Sequence, residues 1–245
     1  MTKWVNCFQV WVRQPLDELQ LSRLIGGYGV LWCVWYMFIL FTGAGWLREA
    51  MFLMAGVLAL FFLAALRYSF QKRTSLASGL AISRKEKVRY GFLGGSMGMA
   101  GVLLLFLLAQ LGVLWDQLSH IGPLWENGTY PVDPAFWIAF FAGLVLVYVA
   151  WFPVCVLKKR AAAAGWSILA GAVTAAWYAG QGFCIREMSV EEIVRLYEGN
   201  RITQVTVRYF QLPGGWLTAA VLTVLAAAAV WGVLRFCGQI YEKER

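Results

Sequence analysis

Few residues in this 245-residue chain could do covalent chemistry. His120 is the sole histidine, whereas a zinc site needs three or four protein ligands. No G-x-x-x-x-G-K-[ST] sequence occurs, so the chain lacks the loop that cradles nucleotide phosphates. The five cysteines show no C-x-x-C spacing; we expect small buried hydrophobes, with Cys184 alone in an external loop. These absences predict a chain that is not an enzyme by itself and that holds no cofactor or metal.

Three polar side chains inside long apolar runs are candidates for contact with a substrate: Gln110, Thr174 and Gln181. Each either lines a substrate path or hydrogen-bonds a neighbouring helix. The apolar runs contain no acidic residue, and proton or ion relays inside membranes usually need Asp, Glu or His. A self-powered, proton-coupled carrier is therefore disfavoured, and any transport must draw its energy from a partner.

The elements that must position these residues are membrane spans. The chain is 60% hydrophobic and 14% charged, whereas soluble domains carry about 25% charge. Several apolar runs are long enough to cross a bilayer as helices. We predict an all-α integral membrane protein with six transmembrane helices. The spans are Leu24–Gly45, Ala50–Leu66, Phe92–Leu114, Ala135–Leu157, Ala161–Phe183 and Trp216–Phe236.

The distribution of charge predicts how the chain is oriented. The two termini, the 67–91 loop and the 158–160 turn carry 16 of the Lys and Arg residues, and the opposite side carries 5. Cytoplasmic loops are enriched in Lys and Arg, so both termini should be cytosolic. The net charge of +8 therefore reflects Lys and Arg residues that flank membrane spans on the cytosolic side. We predict no nucleic-acid partner.

Residues 1–23 are predicted to form an amphipathic segment before the transmembrane domain, 24–245. Trp4, Phe8, Trp11 and Val12 share one helical face, which is typical of a helix lying in the cytosolic membrane interface. Pro15 suits the first turn of a second short helix.

The external segment 184–213 has two parts. Ser189 to Glu192 reads S-x-x-E, a capping box, and predicts a short external helix. Residues 202–210 alternate in part, and we expect them to be extended or to dip toward the membrane.

Glycine spacing predicts close helix packing at the start of the third span. Gly91 with Gly95, and Gly94 with Gly98, form two overlapping small-xxx-small pairs. Small residues let membrane helices approach closely.

The basic loop 67–91 carries the most specific sequence feature. Its stretch Leu80-Ala-Ile-Ser-Arg-Lys-Glu86 resembles the Leu-Pro-hydrophobic-Ser-Arg-Lys-Glu segment of ABC-2 type transporter permeases, with Ala81 where that pattern has proline. Six spans, cytosolic termini and an amphipathic N-terminal helix also fit this family.

The resemblance implies a permease subunit that a separate ABC ATPase subunit drives, with ATP and Mg²⁺ bound in that partner. It implies a second permease copy, identical or not, in a bacterial cell membrane, and export of peptides, drugs or other amphipathic substrates. The segment 71–80 would form a coupling helix, with 83–86 leading into the third span. The implied ATPase-coupling residues are Lys72, Arg73, Thr74, Ser75, Leu76, Leu80, Ser83, Arg84, Lys85 and Glu86.

An alternative is a non-transporting membrane protein, such as an assembly factor, sensor or immunity protein. Its outer loops would bind a partner, and the basic loop would serve only as an anchor near anionic lipid headgroups.

Overall fold

The computed structural model describes residues 3–42, 47–72, 82–119, 133–196 and 199–243, which are mostly helical. A short N-terminal segment precedes the long helices: helix α1 (Lys3–Phe8), a π-helical turn (Gln9–Arg13) and helix α2 (Gln14–Glu18). The long helices are α3 (Leu21–Thr42), α4 (Leu47–Gln71), α5 (Arg84–Ser119), α6 (Pro134–Val156), α7 (Arg160–Cys184) and α8 (Gly215–Lys243). Between α7 and α8 lie strands β1 (Ile185–Leu196) and β2 (Gly199–Phe210).

Each of the six predicted spans coincides largely with one of these long helices. Among the described residues, α6 and α8 are long and apolar enough to cross a membrane. They differ in burial: 56% of the most apolar stretch of α6 is buried, against 11% of that of α8. A core helix of a soluble protein is mostly buried, so α8 does not fit that description.

Helix α6 runs between two clusters of buried side chains. Its C-terminal half packs with α4, the start of α5 and the N-terminal segment, around Trp11, Phe70 and Phe152. Its N-terminal half packs with the end of α7 and the start of α8, around Phe136 and Phe210. We call the first end of the bundle the basic end, because α4, α6 and α8 finish there beside Lys72, Lys158 and Lys243, and the second the hairpin end.

The N-terminal segment is helical, and Pro15 lies in the first turn of α2 as predicted. Two residues of its predicted apolar face, however, are turned into the protein. Trp11 and Val12 are 1% and 0% exposed and belong to the cluster at the basic end. Amphipathic spacing alone does not distinguish a face that covers neighbouring helices from one that covers lipid.

The glycines at the start of α5 bring this segment close. A Cβ atom on Gly94 would lie 2.7 Å from the Cys7 carbonyl oxygen and 2.8 Å from the Trp11 Cβ. Gly95 is approached in the same way by Tyr148 and Leu66. The prediction that these glycines serve close helix packing is confirmed.

The predicted external helix at 189–197 is wrong. Ser189 and Glu192 lie in β1, which pairs antiparallel with β2 in a register that sets Ser189 opposite Thr206 and Glu192 opposite Thr203. The partner strand supplies the backbone hydrogen bonds that a helix would otherwise supply, and both strands contain several β-branched residues. The expectation that 202–210 is extended is confirmed.

Candidate functional site

The entry into α5 is ordered by a capping box that the sequence contains at Ser83 and Glu86. The Ser83 hydroxyl and backbone N–H both donate to Glu86 Oε2, at 2.8 and 3.0 Å. The Glu86 N–H donates in return to Ser83 Oγ at 3.3 Å. The Ser83 donors, first the hydroxyl and then the backbone N–H, lower the pKa of the Glu86 carboxyl. Ser83 and Glu86 therefore fix where α5 starts.

The next two residues attach α5 to the end of α8. Arg84 donates to the Glu242 carbonyl oxygen at 2.8 Å, and the Lys85 Nζ lies 3.4 Å from the Glu242 carboxylate. The carbonyl belongs to the last turn of α8, where helix carbonyls have no partner within the helix.

On the other side of the basic loop, Lys72 attaches α4 to α2. Its Nζ lies 3.4 Å from Glu18 Oε2, which also accepts from the Tyr68 hydroxyl at 2.9 Å. Lys72 contacts the same hydroxyl, and this hydrogen bond raises the pKa of its ammonium group.

The end of α4 is also joined to the end of α6. Arg67 donates to the Val154 carbonyl at 2.6 Å, and Gln71 donates to that of Leu157 at 3.3 Å. Both carbonyls lie at the C-terminal end of α6, where partners within the helix run out. Sequence reasoning counted Arg67 as loop charge and missed this role, because no local pattern shows which helix end will lie beside it.

Five of the predicted coupling residues lie outside the described residues: Arg73, Thr74, Ser75, Leu76 and Leu80. The other five, Lys72 and 83–86, flank that stretch. Lys72 joins α4 to α2, Arg84 and Lys85 join α5 to α8, and Ser83 and Glu86 bond each other.

The hairpin end contains an open cavity of about 380 Å³ between α6 and α7, which Leu212 and Leu222 also line. Its walls are mainly apolar, with Phe136, Phe140 and Trp177 among them. Gln181 lines it, and the buried Gln181 Oε1 has no hydrogen-bond donor among the described residues. The volume lies within the usual range for small-molecule sites.

The structure separates the three predicted substrate-path residues. Gln181 faces the cavity. Thr174 instead joins two helices: it accepts from the Trp151 indole N–H at 3.0 Å and donates to the Ala170 carbonyl at 2.8 Å. Gln110 lies in α5, and its side chain falls outside what the structure describes.

One aspartate at the hairpin end accepts hydrogen bonds from two separate parts of the chain. Asp133 Oδ1 accepts from the Ala135 N–H and Oδ2 from the Leu212 N–H, both at 2.9 Å. It caps α6 and holds the chain that follows β2 against the bundle. Aspartate before Pro134 and an apolar run is a helix-start signal, so the cap could have been found from the sequence. The link to Leu212 could not.

The cysteines Cys7, Cys155, Cys184 and Cys237 are buried free thiols, as predicted for small hydrophobes. Cys184 differs from expectation in its location, since it is the last residue of α7 and is 8% exposed. His120 lies outside the described residues. No group of three metal-ligating side chains occurs among the residues that the structure describes.

No protein-family model, no curated protein and no solved structure matches this chain.

Proposed function

We propose that this chain is the membrane-spanning permease subunit of an ATP-driven ABC transporter, that a separate ATPase subunit energises it, and that it exports an amphipathic substrate. Six long helices coincide with the predicted spans, and the apolar surface of α8 is largely uncovered. Lipid is the solvent in which such a surface is stable.

The observation that carries the transport part is how the helices on either side of residues 73–81 are attached. At one end Lys72 joins α4 to Glu18, and at the other Arg84 and Lys85 join α5 to Glu242. A partner that pushed on this segment would move α4 together with the N-terminal segment, and α5 together with α8. Stiff helices joined in this way suit a rigid-body switch between two arrangements.

The cavity at the hairpin end supports an amphipathic substrate. Its apolar walls would take the apolar part, and Gln181 Oε1 would accept a hydrogen bond from the polar part. A buried acceptor that gains a donor is stabilised, which gives the site selectivity for molecules with an N–H or O–H group.

The experiment that tests the coupling uses the full chain purified with the proteins that accompany it. We expect an ATPase subunit to copurify. We also expect Leu76→Asp to reduce ATP hydrolysis in the complex, because a charge replaces an apolar side chain in the segment proposed to contact the ATPase. Ile185→Asp is the matched control, since it places the same change on an exposed residue at the hairpin end. Unchanged hydrolysis in Leu76→Asp would refute the coupling role.

The cavity is tested with N-octyl dansylamide, whose sulfonamide N–H can donate to Gln181, and with its N-methyl analogue, which lacks that donor. Gln181→Leu should abolish the preference for the probe that carries the N–H donor. It should leave thermal stability unchanged or higher, because the substitution removes a buried acceptor that has no partner. Thr174→Val should lower stability and keep the preference, since Thr174 joins helices. Equal binding of both probes by the unmodified chain would contradict the role of Gln181.

The hairpin favours a second candidate, a non-transporting membrane protein that binds a partner on its outer side. Within the described residues no third strand lies beside β1 and β2, and open strand edges can pair with another chain. This candidate predicts that no ATPase copurifies, and that deletion of 185–210 releases a bound protein.

A further inference from the structure

We infer that the cleft between the start of α5 and the end of α8 binds the headgroup phosphate of an anionic phospholipid. The cleft measures about 490 Å³ and lies at the basic end of the bundle. Three cationic side chains line it: Lys85 and Arg89 from α5, and Arg235 from α8. The inference rests on the membrane location in the proposed function and is independent of transport.

The charges around the cleft favour an anion. The two carboxylates beside it are already engaged: Glu86 with Ser83, and Glu242 with Lys85 across an exposed contact of 3.4 Å. Neither Arg89 nor Arg235 forms a salt bridge with a described residue. Exposed ion pairs are weak, so Lys85 can exchange its carboxylate for a phosphate, which accepts charge-assisted hydrogen bonds from several donors.

A stripe of exposed apolar side chains on α8 leads into the cleft. Leu217, Val224 and Trp231 follow one another every seven residues, and are 75, 69 and 66% exposed. Seven residues are close to two helical turns, so the three lie on one face. Arg235 is one turn further along, with its guanidinium 5.4 Å from the centre of the Trp231 ring.

This succession of groups matches a lipid better than a free phosphate. An acyl chain would lie along the stripe, Trp231 would sit at the level where tryptophan favours the membrane interface, and the phosphate would enter the cleft. Lys and Arg side chains that leave an apolar helix surface in this way commonly extend toward headgroups. Basic pockets between helices on the cytoplasmic side bind anionic headgroups.

The test is lipid retention by the full chain, measured by native mass spectrometry after incorporation into nanodiscs of equal phosphatidylglycerol and phosphatidylcholine. We expect phosphatidylglycerol to be retained preferentially. Arg89→Gln with Arg235→Gln should reduce that retention about tenfold, because each cation near the membrane surface contributes to the attraction. The matched control is Lys159→Gln with Arg160→Gln, which removes the same charge from exposed residues at the same end outside the cleft. It should retain the lipid.

A second variant changes shape and keeps all charges. A Cβ on Gly238 would lie 3.6 Å from the Lys85 Cγ, so Gly238→Ala should be tolerated, and Gly238→Leu should fill the cleft and displace the lipid. Inorganic phosphate distinguishes the two sources of the anion: if it displaces phosphatidylglycerol, the cleft is a free-phosphate site and the inference is wrong.

Equal losses in the cleft and control pairs would also overturn the inference, since general surface charge would then explain retention. Extraction of the chain from native membranes by alkaline carbonate would refute the membrane location itself. A chain that resists carbonate and shows no preference for phosphatidylglycerol would refute the lipid site alone.

Discussion

The two ends of the bundle are closed in different ways. At the basic end, the N-terminal segment and four long helices (α4, α5, α6 and α8) meet around Trp11, Phe70 and Phe152. Polar contacts there join residues that are 50 to more than 150 positions apart in the chain. At the hairpin end, Phe136 stacks on Phe210 with ring centres 4.4 Å apart. Two hydrogen bonds hold the chain that follows β2: the Leu212 N–H donates to Asp133, and the Gln211 N–H donates to the Cys184 carbonyl at 2.8 Å. The basic end is therefore held by several separate contacts, whereas the hairpin end depends on a few residues and contains a cavity.

This difference is what a chain driven from one end would need. Rigid-body motion is carried by packed elements that move as units, and a region with few attachments opens locally at lower cost. Variants at each end separately test whether the two ends differ in this way.

The largest effect is expected from Gly94→Leu. The new side chain would meet the backbone of Cys7, 2.7 Å from where its Cβ must lie, and backbone cannot yield as a side chain can. We expect a loss of about 3 kcal/mol of stability, or displacement of the N-terminal segment. Thermal unfolding in detergent measures the first, and the rate of tryptic cleavage after the exposed Arg13 measures the second.

Gly101→Leu is the control for this variant. It lies seven residues further along α5, and nothing lies within 4 Å of where its Cβ would be. If both variants unfold at the same temperature, close approach of the N-terminal segment is not what fixes the basic end.

At the hairpin end, Asp133→Ala should cost about 2 kcal/mol, because it removes a helix cap and leaves the Leu212 N–H without its acceptor. Asp133→Asn should lose less stability than Asp133→Ala but be less stable than the unmodified chain, since an amide has one acceptor oxygen in place of two. Hydrogen exchange of the 209–215 peptide reports the loss locally. Unchanged exchange in Asp133→Ala would mean that the Phe136–Phe210 stack and the Gln211–Cys184 backbone hydrogen bond are enough to hold this end.

A smaller effect is expected from Ser69→Ala at the basic end. The Ser69 hydroxyl is 2% exposed and lies 2.9 Å from the Trp11 carbonyl, inside the π-helical turn. Its removal should cost about 1 kcal/mol. Ser167→Ala is the control: that hydroxyl bonds Ala163 one turn back in its own helix, so its loss should change the melting temperature less.

The sequence was a good guide to elements and a poor one to their attachments. Apolar run length located all six long helices, because each run is set by local composition. The glycine spacing in α5 was read correctly for the same reason. The contacts of Arg67 with Val154 and of Asp133 with Leu212 join residues about 80 positions apart, and no periodic pattern encodes such pairs.

The S-x-x-E pattern shows the limit most clearly, because the chain contains it twice. At Ser83 it caps α5, and the residues after it continue as a helix. At Ser189 it lies in a strand, because β2 is available to pair and the sequence on both sides is rich in β-branched residues. A capping box contributes only modest stabilisation to the start of a helix. It cannot create a helix where strand pairing already satisfies the backbone hydrogen bonds.

The last prediction tests these two sites by pH. The pKa of Glu86 is lowered from its ordinary value of 4.5, so its contribution to stability is present above that value and is lost as the pH falls through the folded-state pKa. Glu86→Gln should therefore reduce stability near neutral pH and flatten its decline in acid. Glu192→Gln, at the second S-x-x-E pattern, is the comparison variant, since strand pairing replaces the helix start there. Melting temperatures between neutral pH and pH 3 give both comparisons, and identical acid limbs in Glu86→Gln and the unmodified chain would show that the box at Ser83 does not fix the start of α5.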